Sequence, residues 1–210
     1  MLNGIDLEAF DRELEAASSV EPPFSLTPGR FVLHLARVGP VKRQDLAVEA
    51  LGKTVDVFRQ RGMKYVFVGD GETLNELCAK IEGMGIGDTV LFLGRQTGEN
   101  KHWLLKHAHA FVTTSREEGM PNAVIEAICA GLPVLASDIG PHRELIGLTK
   151  AGRTFRFPDA DDLAGQLVGL LKDDLTGYRS AAQDCRAMFS LTTMIDGYER
   201  SLNAALSQPV

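Results

Sequence analysis

The chain has 210 residues, with 22 Lys and Arg against 28 Asp and Glu for a formal charge of −6, and is 44% hydrophobic. That length suits one α/β domain able to bury its apolar surface without staples, and the acidic balance excludes a nucleic-acid binder, whose affinity rests on a basic surface. Cys78, Cys129 and Cys185 form no C-x-x-C pair, and two of them sit at apolar positions of predicted helices, so they read as reduced, buried thiols of a cytosolic protein.

Asp6, Glu8, Asp11, Glu13 and Glu15 stand where a secretory leader needs a basic start and an apolar core, and no apolar run approaches ~18 residues. Neither export by that route nor a membrane span is expected, and a cytoplasmic location follows. Leu7 to Ala17 has helical spacing and high charge, and reads as a solvated helix or linker before the Pro22-Pro23 and Pro28-Gly29 breaks. Beyond it, short β-branched or aromatic runs alternate with longer amphipathic ones. Strands are expected at Phe31 to Ala36, Tyr65 to Val68, Thr89 to Leu93, Ala110 to Thr113, Val134 to Ser137 and Arg153 to Phe155. Helices are expected at about 45 to 61, 72 to 84, 99 to 107, 122 to 130, 141 to 147, 160 to 172, 177 to 188 and 192 to 206, with boundaries good to ~3 residues. This alternation predicts an α/β fold: a Rossmann-like, doubly wound parallel sheet of about six strands with helices on both faces. The loops after the strands' C-terminal ends then form the ligand edge.

The residues that carry chemistry sit on that edge. After the first strand, Arg37 and Lys42 flank a Gly39-Pro40 bend and can fold back on one diphosphate, the former as a planar fork and the latter as a point charge. Alternatively, Lys42 and Arg43 merely solvate a helix start. After the second strand, Gly69-Asp70-Gly71 allows a close backbone approach to a ligand or simply a tight turn. After the third, Leu93 and Arg95 can flank a planar base, although Leu93 taken alone reads as core. After the fourth, Glu118 precedes the Gly119-Met120-Pro121 turn, and Pro121 or Asn122 opens a helix whose first turns contain Ala123, Val124 and Glu126. A helix N-terminus offers unpaired N–H groups and positive dipole charge to an anion, and two nearby carboxylates accept from hydroxyls. A phosphate joined to a polyol would satisfy both. The plainer reading makes Glu118 a helix cap and pairs Glu126 with a surface cation.

Other constellations carry less. His102, His107 and His109 have poor spacing for one metal. Gly52-Lys53-Thr54 echoes a phosphate loop but falls at a predicted helix end instead of after a strand. Gly83, Gly85 and Gly87 follow a helix and read as a C-cap and turn, and His34 and His142 have no placed partner.

In this order, Arg37 with Lys42, Val68-Gly69-Asp70-Gly71, Phe92-Leu93-Gly94, and Glu118 with Glu126 followed by Gly131-Leu132-Pro133-Val134, Gly140 and Glu144 resemble the G-R-x4-K-G, V-G-D-G, F-L-G and E-x7-E elements of retaining glycosyltransferases with two facing Rossmann-like domains, the GT-B architecture. Two departures stand out: Ala36 replaces the usual Gly, and Arg43 stands where a Gly often follows the Lys. The likeness runs from Asn3-Gly4-Ile5-Asp6, similar to the family's interdomain junction, to the last helix. It covers only the C-terminal, donor-binding half of such an enzyme. The resemblance therefore implies residues 1–28 as an interdomain linker or helix and 29–210 as the nucleotide-sugar-binding domain, with the N-terminal acceptor domain absent. It implies transfer of a sugar, with retention, from a nucleoside diphosphate sugar to a polysaccharide, lipopolysaccharide or other glycan or lipid-linked acceptor, and little or no turnover by this polypeptide alone. Arg37 and Lys42 would hold the pyrophosphate, Glu118 the donor sugar near its anomeric carbon, and Glu126 the ribose. The Gly119-Met120-Pro121 turn would reach substrate oxygens and the amides of Asn122 to Val124 would meet the phosphates, while Gly69, Asp70, Leu93 and Arg95 border the nucleotide. With cations and a helix dipole stabilising the leaving group, no metal or other cofactor is expected. Peripheral membrane association of the full enzyme stays open. A sugar-nucleotide epimerase or a non-catalytic sugar-nucleotide-binding module remains the alternative, whereas a receiver domain is contradicted by Arg37 at the end of the first strand.

Overall fold

The structure, a computed structural model, describes residues 3–18, 21 and 24–206. Six strands, β1 (Phe31–Leu35), β2 (Lys64–Val68), β3 (Val90–Phe92), β4 (Ala110–Thr113), β5 (Val134–Ser137) and β6 (Gly152–Phe155), form one sheet in the order β3-β2-β1-β4-β5-β6. Every pair is parallel. The winding direction reverses between β1 and β4, so the loops leaving these two strands diverge and open a crevice at the sheet's C-terminal edge.

The helices are α1 (Leu7–Ser18), α2 (Gln44–Gln60), α3 (Leu74–Gly83), α4 (Gly98–His107), α5 (Asn122–Cys129), α6 (Gly140–Thr149), α7 (Ala160–Lys172), α8 (Thr176–Cys185) and α9 (Leu191–Leu206), with a 3-10 turn at Arg186–Phe189 between the last two. Strand side chains alternate between two apolar cores, as the period of 2 requires. Phe31, Leu33, Val66, Phe111 and Val134 face α1, α4, α5 and α8, while Val32, Tyr65, Phe67, Val112 and Leu135 face α2, α3 and α7. The Phe31 and Trp103 rings stack at 6.0 Å with 7° between their planes, pinning α4 to β1. Cys129 and Cys185 are buried and Cys78 exposed, all three as free thiols. Burial pushes the Cys129 thiol up to about 12, which makes it inert at neutral pH.

Two local expectations change. The first helix is not solvated all round: Phe10, Leu14 and Ala17 are buried and belong to the core that includes Trp103 of α4. These three residues recur at helical spacing, and that stripe outweighs the high charge of the other faces. Gly52-Lys53-Thr54 lies inside α2, well short of its end, and the buried Thr54 hydroxyl donates to Ala50 O at 3.0 Å, which leaves no loop to cradle a phosphate. Gly85, by contrast, adopts φ +65° just beyond α3 as a turn glycine. The Pro22-Pro23 break lies outside the described residues. Among the described residues no helix is long and apolar enough to cross a membrane.

Candidate functional site

The crevice is built from four loops laced to one another through their backbones. Ala36 N donates to Val68 O at 3.0 Å, Val38 N to Asp70 O at 3.0 Å, Gly69 N to Gly94 O at 2.8 Å and Arg116 N to Val41 O at 2.9 Å. This lacing gives the two glycines after β2 a steric reason of their own. A Cβ on Gly69, whose φ is +144°, would lie 1.9 Å from Ala36 O, and one on Gly71 would lie 1.9 Å from Val38 O. The first loop is held from within by the buried Gln44, whose Nε2 donates to Arg37 O at 2.9 Å and whose Oε1 accepts from Gly39 N at 3.3 Å.

Arg43 adopts the left-handed conformation, φ 50° and ψ 42°, which a glycine occupies at least cost. Its environment holds it there. The Thr114 hydroxyl lies 2.7 Å from Lys42 O and 2.8 Å from Arg43 O. The guanidinium grips Asp45 through Nε at 2.9 Å and Nη2 at 3.0 Å, and lies 5.7 Å from the Phe157 ring centroid.

After β4, the buried Ser115 is anchored by Ser137 Oγ, which donates to its carbonyl at 2.5 Å. The chain then projects outward until Pro121 takes the N-cap position of α5, with no side-chain cap. Val124 N and Ile125 N turn back to Pro121 O and Asn122 N to Met120 O, leaving the Ala123 N–H without a partner among the described residues. Arg37, Lys42, Thr113, Glu118, Met120, Pro121, Asn122, Ala123 and Val124 line one cavity of about 240 Å³. Beside it, a cavity of about 570 Å³ is lined by Arg37, Gly69, Asp70, Gly71, Arg95 and Lys101, and the two share Leu35, Ala36 and Arg37. Arg37 is exposed, and its guanidinium has no hydrogen-bond or ion-pair partner among the described residues. Lys42 Nζ meets Glu118 Oε1 at 2.6 Å, so Glu118 does not cap α5. A free cation and a half-neutralised pair thus face an uncapped helix terminus, the charge arrangement that receives an anion joined to a hydroxylated group.

Not every expected residue joins them. Glu126 lines a neighbouring cavity of about 280 Å³ with Asn3, Gly4 and Met194, connected to the first through Asn122. Its Oε1 pairs with Lys101 Nζ at 2.7 Å, so the expected cation exists and stands at the edge of the second cavity. Leu93 is half-buried and packs against the core, with Arg95 taking the exposed place beside Gly69. Gly119 is exposed at the outer bend of the loop. Two participants, Gln44 and Lys101, had no signal in the sequence, and Asn3, read only as part of a junction, donates through Nδ2 to Asn122 Oδ1 at 2.7 Å. Their partners lie on other elements, and side-chain periodicity does not report such pairings.

Two histidines are buried close to the site. His34 Nδ1 lies 3.0 Å from the Tyr65 hydroxyl, and burial, with the Lys42 charge, lowers its pKa to about 3. His142 Nδ1 lies 3.1 Å from Ser137 O, and its pKa is lowered, mainly by burial. Both are neutral at physiological pH. His102, His107 and His109 separate: the first contacts Glu13 at 3.0 Å, the second packs on Trp103 and the third reaches Leu170 O at 2.9 Å. Among the described residues no group of three or more His, Cys, Asp or Glu side chains could hold a metal ion.

Comparison with known proteins identifies the family and the fold. Residues 21–187 match the family described as Glycosyl transferases group 1. The UDP-Gal:alpha-D-GlcNAc-diphosphoundecaprenol alpha-1,3-galactosyltransferase of Escherichia coli is 29% identical over 186 residues, covering 88% of this chain and 47% of that protein. Among solved structures, Anabaena HepE in complex with UDP and glucose superposes with a TM-score of 0.77 at 20% identity, over 96% of this chain and 55% of its own. The C-terminal domain of LpcC, a glycosyl transferase group 1 family protein from Francisella tularensis, superposes with a TM-score of 0.70 at 19% identity, over 90% of this chain and 100% of its own. The chain spans between 35% and 47% of the first two curated relatives it matches.

Proposed function

The chain belongs to the glycosyl transferases group 1 family, and from that premise we propose that it binds the nucleoside diphosphate sugar donor of a retaining sugar transfer. The observation that supports this most strongly is the convergence of Arg37, Lys42 and the Ala123 N–H, unpartnered among the described residues, on one cavity, next to a second large enough for a nucleoside. Diphosphate between these groups gains charge as the glycosidic bond breaks. Two cations and a helix N-terminus stabilise that charge most when it is fully developed, so the leaving group departs without a metal ion. Glu118 then accepts hydrogen bonds from the donor sugar's hydroxyls and Glu126 from the ribose.

The Escherichia coli relative is named for a UDP-sugar donor and a lipid-linked diphosphate acceptor. For this chain the matching reading is a cytoplasmic donor half, whose acceptor of the glycan or lipid-linked class is met by a second domain. Alone, the chain binds donor and transfers little. The test is calorimetry with UDP, GDP, ADP and their glucose conjugates. At least one of them should bind, and Arg37→Ala should weaken it about 10-fold or more, the usual effect of losing a charge-assisted contact. Because the exposed Arg37 guanidinium has no hydrogen-bond or ion-pair partner among the described residues, its loss should leave folding intact. Unchanged binding in Arg37→Ala counts against the site.

A further inference from the structure

Lys101 is a cation at the crevice that the sequence did not single out. It projects from α4, whose next residues Trp103, Leu104 and Leu105 are buried and fix the backbone that carries it. Its position is divided between two cavities. It lines the one containing Gly69, Asp70 and Arg95, yet its ammonium pairs with Glu126, which lines the other. Asp70, the acid in its own cavity, turns Oδ1 to Gly71 N at 2.8 Å. The 2.7 Å pair is mostly buried, with side-chain exposures of 22% and 25%. Only one Glu126 oxygen is used: Oε2 has no partner among the described residues, and a carboxylate has acceptor capacity left after one such bond.

We infer that Lys101 is a positioning residue: by holding Oε1 of Glu126 it fixes where the remaining acceptor sites point, and so sets how strictly the donor's ribose hydroxyls are read. This inference rests on the donor reading above. A glutamate side chain left free samples several rotamers, and ordering it when the ligand arrives weakens binding and blurs selection. Held by an ammonium across the boundary between two cavities, it is oriented beforehand. A ligand lacking the matched hydroxyl then leaves a half-buried carboxylate oxygen unpaired, which is the most discriminating kind of mismatch.

The test measures binding of UDP, GDP and ADP, then of the 2′-deoxy and 3′-deoxy counterparts of whichever binds best. The wild type should bind at least one deoxy analogue about 10-fold more weakly than the parent, the scale of a hydrogen bond to a charged acceptor. In Lys101→Met that ratio should fall to within about threefold, Lys101→Arg should restore it, and Lys101→Met should change nothing further in a Glu126→Ala background. If Lys101 only braced α4 against α5, parent and deoxy analogue would weaken equally and the ratio would hold. A preserved ratio in folded Lys101→Met therefore overturns the inference while leaving the donor site standing, as does a wild type that binds nucleotide without distinguishing the deoxy forms. No nucleotide binding by the wild type overturns the donor reading itself, and this inference with it.

Discussion

The two partners of the Lys42–Glu118 ion pair should have opposite effects on nucleoside diphosphate affinity. At 2.6 Å, with side-chain exposures of 26% and 14%, their charges largely cancel at the crevice. Replacing Lys42 by Met removes a charge-assisted contact to diphosphate worth about 1.5 to 3 kcal/mol, so Kd should rise about 10- to 100-fold. Replacing Glu118 by Gln does the reverse. It removes a like charge from the neighbourhood of the diphosphate and releases the ammonium from its internal partner. At an effective dielectric near 20, a unit charge some 4 to 6 Å away contributes roughly 3 to 4 kcal/mol, and solvent screening at this partly open site reduces that to about 1 kcal/mol. UDP should therefore bind Glu118→Gln about fivefold more tightly than the wild type. The assay is titration calorimetry at low salt and at about 0.5 M salt, where the difference should shrink. Weakening of similar size in both variants would refute the reasoning, because it would make the pair a brace for the loop and not a charge balance.

Three further outcomes follow from the geometry. At position 43 glycine should stabilise the fold relative to alanine by about 0.5 to 1 kcal/mol in urea unfolding, because relief of left-handed strain exceeds the added chain entropy. Alanine matching or exceeding glycine there would contradict the backbone assignment. Gly69→Ala should destabilise by about 3 kcal/mol, since the new Cβ meets Ala36 O at 1.9 Å, whereas Gly140→Ala, with nothing within 4 Å, should be neutral or slightly stabilising in the same titration. His34 is held neutral with a pKa of about 3 against an ordinary 6.5, so below pH 6.5 the unfolded chain binds a proton that the folded chain refuses. Stability contributed by the neutral ring is complete above pH 6.5 and declines as pH falls toward 3, by up to about 2 kcal/mol between pH 6.5 and 5. Substituting His34→Gln should flatten that part of the stability-against-pH curve, and an unchanged slope would show that other groups produce it.

The sheet was legible because the inner strands are short apolar runs buried on both sides and each helix is a longer run with its own period. Observed ends fall within about three residues of those read from the pattern. The crevice was legible in part, because Arg37, Lys42, Glu118 and the α5 N-terminus all leave the C-terminal ends of β1 and β4, where a doubly wound sheet opens. What escaped was information that crosses between elements. Phe10, Leu14 and Ala17 looked solvated because their stripe lies among acidic neighbours, and only α4 reveals what it covers. The glycines at 69 and 71 were read as ligand-facing or turn-forming, although their constraint is the carbonyls of Ala36 and Val38. Arg43 looked like a departure from a motif, and the structure shows a left-handed backbone kept in place by Asp45 and Thr114.

The cross-links Ala36–Val68, Val38–Asp70, Gly69–Gly94 and Arg116–Val41 have an evolutionary corollary. They use main-chain atoms alone, so the path of the rim is insensitive to the identity of most side chains standing on it. Residues such as Arg95 and Met120 can be exchanged without redrawing the scaffold, much as fittings are swapped on a fixed bench. On the donor reading proposed above, a frame of this kind would let a new sugar or base be accommodated through single substitutions. It also predicts slow amide hydrogen exchange at Ala36, Val38 and Gly69 before any ligand is present, in segments that by chain position alone would count as loops.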